Sequence, residues 1–271
     1  MKIKLQQAEE TFGPDQAAAS DLLIRIDREQ TTVAIMESGH QLRALYEFSA
    51  GPEDLSAILA ENPLLAYPYR HVRVSVATRK FTFIPEDAFS NDRVTEYSRF
   101  LQPEQASDLV FTSHRGFGIR NLAAVGTALQ KSLQSCFPGA SVTSQIDPFL
   151  AGIHRRAAGR ESFWHFNAGN GCLEAALVRN GQLVFCNAFD TPGPDDLNYF
   201  LLLLLKEFPD AAKERVVVSG TLERGDPFFK RLKKYFRDIE TADMAWVQRS
   251  ETFSRLPVHH YFTLLNLAGC E

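Results

Sequence analysis

One order of elements is written into this chain twice. In the first half, residues 21–28, 31–38 and 41–48 are three runs rich in β-branched and aromatic residues, separated by the short polar joints Glu29-Gln30 and Gly39-His40. In the second half, residues 162–168, 172–179 and 182–189 repeat the arrangement, with Asn170-Gly171 and Asn180-Gly181 as two-residue turns whose residues tolerate positive φ. Each triplet predicts an antiparallel meander. Each third strand is followed by nearly the same pentapeptide, Gly51-Pro52-Glu53-Asp54-Leu55 and Gly193-Pro194-Asp195-Asp196-Leu197. Both are helix starts: proline presets φ for the first turn, and the acidic pair complements the positive end of the helix dipole. Valine-rich strands follow at 71–77 and 215–219, so the order β-β-β-α-β occurs twice.

The tight turn at Asn180-Gly181 makes a statement about register. A two-residue loop places Arg179 opposite Gln182, and period-2 counting then puts Cys186 on the face of Gln182 and Cys172 on the other face. Counted this way, Leu173 and Leu177 share one face while Val178, Phe185 and Phe189 share the other, as in a sheet covered by helices on both sides. A disulfide between Cys172 and Cys186 is excluded on that register. The four cysteines form no C-x-x-C pair and have no histidine at zinc-ligand spacing, so neither a metal knuckle nor a redox motif is encoded locally.

Between the copies, residues 108–113 predict a strand, 121–135 an amphipathic helix, 140–145 a strand and 148–158 a helix. In the second half, 228–237 predicts a helix, 239–241 a short strand and 260–268 a final apolar helix. The expected fold class is α/β: two lobes, each a mixed sheet flanked by helices, spanning 1–158 and 159–271. At 271 residues and 45% hydrophobic content the chain can bury two such cores. Its longest apolar run, 199–205, is too short to cross a bilayer and predicts a buried helix. The first 20 residues lack a signal-peptide core, which points to the cytoplasm. A formal net charge of −4 gives no global positive field for nucleic acid or an anionic membrane.

This duplicated plan resembles the actin, hexokinase and Hsp70 superfamily, whose ribonuclease-H-like lobes clasp a nucleotide. The whole chain, including Lys80-Phe81-Thr82-Phe83-Ile84-Pro85, is also similar to a family of bacterial proteins known as a domain of unknown function, with an actin-like ATPase fold. The superfamily resemblance implies phosphate contacts at the first hairpin of each lobe, through Asp-x-Gly, where glycine admits the phosphate and the carboxylate organises magnesium and water. Here the first hairpin reads Asp27-Arg28-Glu29, with Glu29 in the glycine position. The second reads Asn167-Ala168-Gly169-Asn170-Gly171, with an amide for the carboxylate. The adenosine motif, an apolar strand ending in two glycines, is matched by Val216-Val217-Val218-Ser219-Gly220. All three depart from the ATPase pattern, and each has a plain structural use: Asp27 accepting backbone hydrogen bonds at a turn, and the glycines serving hairpin geometry.

Other chemistry is thinly marked. A ribonuclease-H-like nuclease would need carboxylates converging on two metal ions, with Asp27 joined by Asp108 or Asp147. No Gly-x-Ser-x-Gly elbow is present, and the adjacent pairs Ser113-His114 and His259-His260 do not make a triad. Lys230, Lys233, Lys234 and Arg237 fall at helical spacing with Phe229, Leu232 and Phe236 on the opposite side. That basic face suits nucleic acid, an acidic protein surface or plain solvation, and His154-Arg155-Arg156 with Arg160 would extend it. The expected function is therefore a non-catalytic cytoplasmic scaffold that engages another protein and holds no cofactor or metal. The alternatives are a divergent protein that binds ATP or ADP with magnesium through Asp27, residues 167–171 and Ser219-Gly220, and a nucleic-acid-associated protein.

Overall fold

The computed structural model describes residues 2–103, 105, 108–157, 161–223 and 225–270. The chain divides into two compact units. Unit 1 holds residues 1–151, 245–256 and 263–271, and unit 2 holds 152–244 and 257–262. The expected boundary between 158 and 159 lies outside the described residues, as does Arg160 of the suggested basic extension.

Unit 1 begins with β1 (Lys2–Ala8) and a single helical turn, α1 (Pro14–Ala17), followed by β2 (Ser20–Ile26), β3 (Thr31–Glu37) and β4 (Gln41–Ser49). Next come α2 (Leu55–Glu61), β5 (His71–Val76), β6 (Phe81–Pro85), α3 (Val94–Ser98), β7 (Leu109–His114), β8 (Ile119–Ala124), α4 (Thr127–Cys136), β9 (Ser141–Ser144) and α5 (Ile146–Ala157), whose second half belongs to unit 2. The main sheet runs β1-β4-β3-β2-β5-β9, and β6-β8-β7 is a separate three-stranded antiparallel sheet. Unit 2 contains β10 (Phe163–Gly169), β11 (Cys172–Arg179), β12 (Gln182–Asp190), α6 (Pro194–Glu207), β13 (Arg215–Gly220), α7 (Pro227–Tyr235) and β14 (Ile239–Thr241). Its sheet runs β12-β11-β10-β13-β14.

Leaving out β1, the two main sheets have one topology. The meander is antiparallel in both, and the fourth and fifth strands add in parallel beside the first, as β5 and β9 beside β2 and as β13 and β14 beside β10. The helix starts are also the same device. Asp54 accepts from the Gly51 amide at 3.1 Å and Asp196 from the Gly193 amide at 2.9 Å, each with proline at the first helical position. Each meander side packs its own core, around Phe48, Ile24, Ile35 and Leu55 in unit 1 and around Trp164, Phe166, Leu201 and Val218 in unit 2.

The register of the second meander differs from the expectation. Arg179 does face Gln182, but a β-bulge follows: Val178 pairs with Leu183 and Leu177 with Phe185, leaving Val184 as the extra residue. One added residue reverses the parity of everything after it. Phe185 and Phe189 therefore lie on the face of Leu177 and Leu173, packed half-buried against the edge of that core, and Cys186 lies opposite Ala176 on the face of Cys172. The two thiols are still apart, because Cys172 pairs with Asp190, four residues or about 13 Å from Cys186 along the strand. None of the four cysteines is in a disulfide.

Three further expectations are corrected. Residues 119–124 form the central strand of the small sheet, and the helix expected from 121 begins only at Thr127, after Gly126. The sequence Asn-Leu-Ala-Ala is neutral between the two states, and pairing with β6 and β7 on both sides decides it. The final helix is broken, with 3-10 turns at Val258–Tyr261 and Leu267–Gly269 around a five-residue α-helix, α8 (Phe262–Asn266). The apolar run 199–205 is helical, but Leu201 and Leu204 alone are fully buried, whereas Tyr199, Leu202 and Leu203 are 62, 49 and 46% exposed. The strand at Lys2–Ala8 carried too many polar residues to be singled out, and pairing with β4 holds it.

Candidate functional site

The second hairpin is the best-built corner of unit 2. Asn170 and Gly171 adopt φ of +53° and +69°, the left-handed pair that joins twisted strands in two residues. Its flanks are pinned. The Thr191 amide donates to the Gly171 carbonyl and the Thr221 amide to the Ala168 carbonyl, both at 2.7 Å. Gly220, at φ +75°, passes so close to β10 that a Cβ would lie 2.1 Å from the Ala168 oxygen, so glycine is required there by backbone packing alone. A cavity of about 170 Å³ opens between these segments, lined by Gly169, Asn170, Thr191, Thr221, Asp226 and Phe228 among others. Among the described residues no lysine or arginine lines it, and the charged group that does, Asp226, caps α7 by accepting from the Phe228 and Phe229 amides at 2.5 and 3.4 Å.

Asn167 and Ser219 do not line that cavity. They are buried side by side on neighbouring strands and satisfy each other: Ser219 Oγ donates to Asn167 Oδ1 at 2.8 Å, and Asn167 Nδ2 donates to Glu174 Oε2 at 2.6 Å. Because the serine proton is committed to Asn167, the 2.9 Å contact between His165 Nε2 and Ser219 Oγ is a donation from the ring. His165 thus carries its proton on Nε2. Full burial, reinforced by the Arg156 cation, pushes its pKa down to about 3, so the ring is neutral. The chain of donors runs His165, Ser219, Asn167 and ends on the Glu174 carboxylate, which also accepts from the Cys172 thiol at 3.5 Å. Hydrogen bonds that all point one way polarise one another and fix the amide orientation.

At the first hairpin Asp27 closes a turn. Its amide donates to the Gln30 carbonyl at 2.8 Å, its Oδ1 accepts from the Arg28 amide at 2.8 Å, and its Oδ2 faces Arg25 at 3.4 Å. Cross-strand pairing of Ile26 with Thr31 and of Ala168 with Leu173 shows which residues correspond between the units. Asp27 matches Gly169, and Asn167 matches Arg25. The hairpin is also closed from below, since a Cβ on Gly51 would meet the Arg28 carbonyl oxygen at 2.6 Å. These donors do not fit a magnesium polyphosphate. One carboxylate is spent on its own turn, one amide is buried beside another carboxylate, and the charged group among the described cavity residues is the Asp226 carboxylate.

The other acidic candidates have structural partners. Asp147 accepts from His114 Nε2 and Asn121 Nδ2, each at 2.9 Å, and from the Ser144 amide and hydroxyl at 2.8 and 2.9 Å. Asp108 accepts from the Gln105 amide and the Thr127 hydroxyl at 2.8 and 2.7 Å. Among the described residues, no group of three or more His, Cys, Asp or Glu side chains is placed to hold a metal ion. His260 pairs with Glu223 at 3.3 Å, and its neighbour His259 is held below the ordinary histidine pKa by burial and by the adjacent His260 ring. The buried networks around His165 and His114 went unseen in the sequence, where alternate polar residues within apolar strands were the one available signal.

On α7 Lys230, Lys233 and Lys234 are all exposed, while Phe229 and Leu232 are buried; Lys233 lies on the Phe229 side, its ammonium 5.3 Å from that ring centroid. Arg237 is exposed but lies beyond the helix, which ends at Tyr235, so it does not continue the helical stripe. Of the suggested extension, Arg156 is engaged with Glu240 and Glu161 and lies over the Phe163 ring.

Comparison with known proteins bears on the whole fold. A family model described as protein of unknown function (DUF3822) matches residues 9–239. The chain belongs to the DUF3822 family. Its fold is the actin-like ATPase fold, seen in a solved protein of unknown function from Bacteroides thetaiotaomicron. That protein is 17% identical with a TM-score of 0.76, covering 94% of this DUF3822 chain and 98% of its own. A structure of the PilM-PilN type IV pilus biogenesis complex is also similar, at 13% identity and a TM-score of 0.61 over 93% of this chain and 98% of that one. No curated protein matches the DUF3822 chain. No helix among its described residues is long and apolar enough to cross a membrane.

Proposed function

We propose that this DUF3822 chain is a non-catalytic interaction protein: a scaffold on an actin-like ATPase fold that engages another protein in the cytoplasm, where cysteines outside disulfides, as all four are here, persist. The observation that carries the reading is the hydrogen bond between Ser219 and Asn167. It ties together the two side chains that stand where the superfamily resemblance implies a carboxylate and a glycine, and it buries them next to the Glu174 carboxylate. The cavity at the second hairpin offers, among the described residues, a carboxylate and no cation. The fold is compatible with such a role, since PilM occurs in a complex with PilN.

The test is thermal denaturation of the full chain with and without magnesium-ATP and magnesium-ADP at millimolar concentration. A ligand at 100 times its dissociation constant stabilises by about 2.7 kcal/mol, a shift of several degrees. The expected outcome is no shift. A saturable rise abolished by Gly169→Leu would establish a nucleotide site at the second hairpin and overturn the proposal.

A further inference from the structure

Unit 1 has a strand that unit 2 lacks. Both meanders end on a strand of nine residues, β4 and β12, with a β-bulge at the same step. The outer side of β4 is taken by β1, which pairs antiparallel along it, and the Glu9 amide donates to the carbonyl of the bulge residue Arg43 at 3.0 Å. β12 is the last strand of its sheet, and among the described residues no strand lies beyond it. Exposure differs at matched positions: Ala44, Tyr46 and Phe48 are buried, whereas Phe185 and Phe189 are half-buried and Asn187 is exposed. Proteins guard open edges with short strands, lysine or proline. The other edges of the two main sheets follow that rule, since β9 and β14 have four and three residues and β1 carries Lys2 and Lys4. β12 has neither lysine nor proline, and its one charged residue is Asp190, at its end.

The phase of the ladder is set at the turn. The Thr191 amide donates to the Gly171 carbonyl, and bonded pairs alternate along an antiparallel ladder. Phe185, Asn187 and Phe189 therefore direct N–H and C=O toward β11, while Cys186 and Ala188 direct theirs outward. We infer that β12 pairs antiparallel with β12 of a second copy about a two-fold axis through Asn187, joining two sheets edge to edge. In this register Ala188 of each copy exchanges backbone hydrogen bonds with Cys186 of the other. Phe185 stands opposite Phe189 of the second copy, twice, on the core side, and aromatic cross-strand pairs are favourable. Asp190 comes opposite Val184 of the second copy, so the charge of the strand meets no like charge. Centring the axis on Cys186 or Ala188 sets phenylalanine against Asn187 instead. A strand of another protein would meet the same backbone groups; the second copy is selected because side-chain face, ladder phase and charge of β12 agree with β12 itself in one register, and a self-complementary patch closes as a two-fold dimer.

The test is sedimentation equilibrium of the full chain over a wide concentration range, with no nucleotide and no other protein, so its outcome is separate from that of the thermal test above. A monomer–dimer equilibrium is expected. Asn187→Lys sets lysine against lysine on the axis and should weaken the dimer about fivefold or more, and Asn187→Asp should do the same. Mixed together, the two variants should regain the affinity of the parent as a heterodimer, because the axis then holds an ion pair. Asn187 is exposed, and circular dichroism spectra matching the parent confirm that both variants fold. A parent chain that stays monomeric, a dimer as tight in Asn187→Lys as in the parent, or variants that remain apart when mixed would overturn the inference.

Discussion

Arg43 and Val184 hold the same position in the two sheets: each is the extra residue of a β-bulge, two places after the glutamine that closes the second hairpin. Gln41 and Leu42 pair with Glu37 and Met36, and pairing resumes at Ala44 with Ile35; Gln182 and Leu183 pair with Arg179 and Val178, and pairing resumes at Phe185 with Leu177. A bulge at the same step in both sheets extends the likeness of the two units beyond strand order. The two units put it to different uses. Arg43 is aimed at Glu9 and Glu37, tying β1 to the meander, whereas Val184 is 46% exposed.

Deleting Val184 is expected to be severe despite its exposure. Without the extra residue, Phe185 and Phe189 turn away from Leu177, Trp164 and Phe208, and stripping a phenylalanine from a core costs about 3–5 kcal/mol. Loss of the cooperative unfolding transition by circular dichroism is the expected result. Val184→Thr, which keeps the bulge, should change stability by less than about 0.5 kcal/mol.

Gly220 and Gly169 separate backbone need from ligand need. Gly220→Ala drives a Cβ to 2.1 Å from the Ala168 oxygen at a positive φ, and a loss of about 2 kcal/mol or more in urea denaturation is expected. Gly169→Ala meets only the Thr221 side chain at 3.4 Å and should cost less than about 1 kcal/mol. Equal tolerance at both positions would refute the packing account of Gly220.

Ser219→Ala removes the middle of the buried donor chain. It leaves the His165 Nε2 proton and Asn167 Oδ1 without their partner, at about 1–3 kcal/mol for each group. Asn167→Asp is expected to be at least as costly, because it sets a second carboxylate against Glu174 where an amide now donates at 2.6 Å. Denaturant midpoints check both, and an unchanged midpoint in Asn167→Asp would show that the buried network is not what holds these strands.

His165 gives the stability a pH dependence of known sign. Its folded pKa of about 3 lies below the unfolded value of about 6.5, so below pH 6.5 the unfolded chain takes up a proton that the folded chain refuses. Stability present at neutral pH is lost as the pH falls from about 6.5 toward 3, by up to about 1.4 kcal/mol per pH unit from this group. His165→Gln, which has no titrating ring, should flatten that part of the profile. The same slope in parent and variant would remove His165 as its source.

The sequence by itself determined the duplicated β-β-β-α-β order, the two asparagine-glycine turns and the paired helix starts. These are local matters: positive φ, proline at a first helical turn and a carboxylate three residues after a glycine act within a few residues, and they leave the same mark in sequence as in structure. Tertiary structure alone decided the rest. Val184 looks like any strand residue, yet core packing of Phe185 and Phe189 on the inner face requires the bulge, and that choice reassigned every later residue of the strand. The strand at Ile119–Ala124 exists because two partners flank it. Asn167 and Ser219 are 52 positions apart, and only the parallel pairing of β10 with β13 turns two polar residues, readable from sequence as candidate ligand contacts, into donor and acceptor for each other. Hydrogen bonds between distant strands are set by register, and register belongs to the assembled sheet.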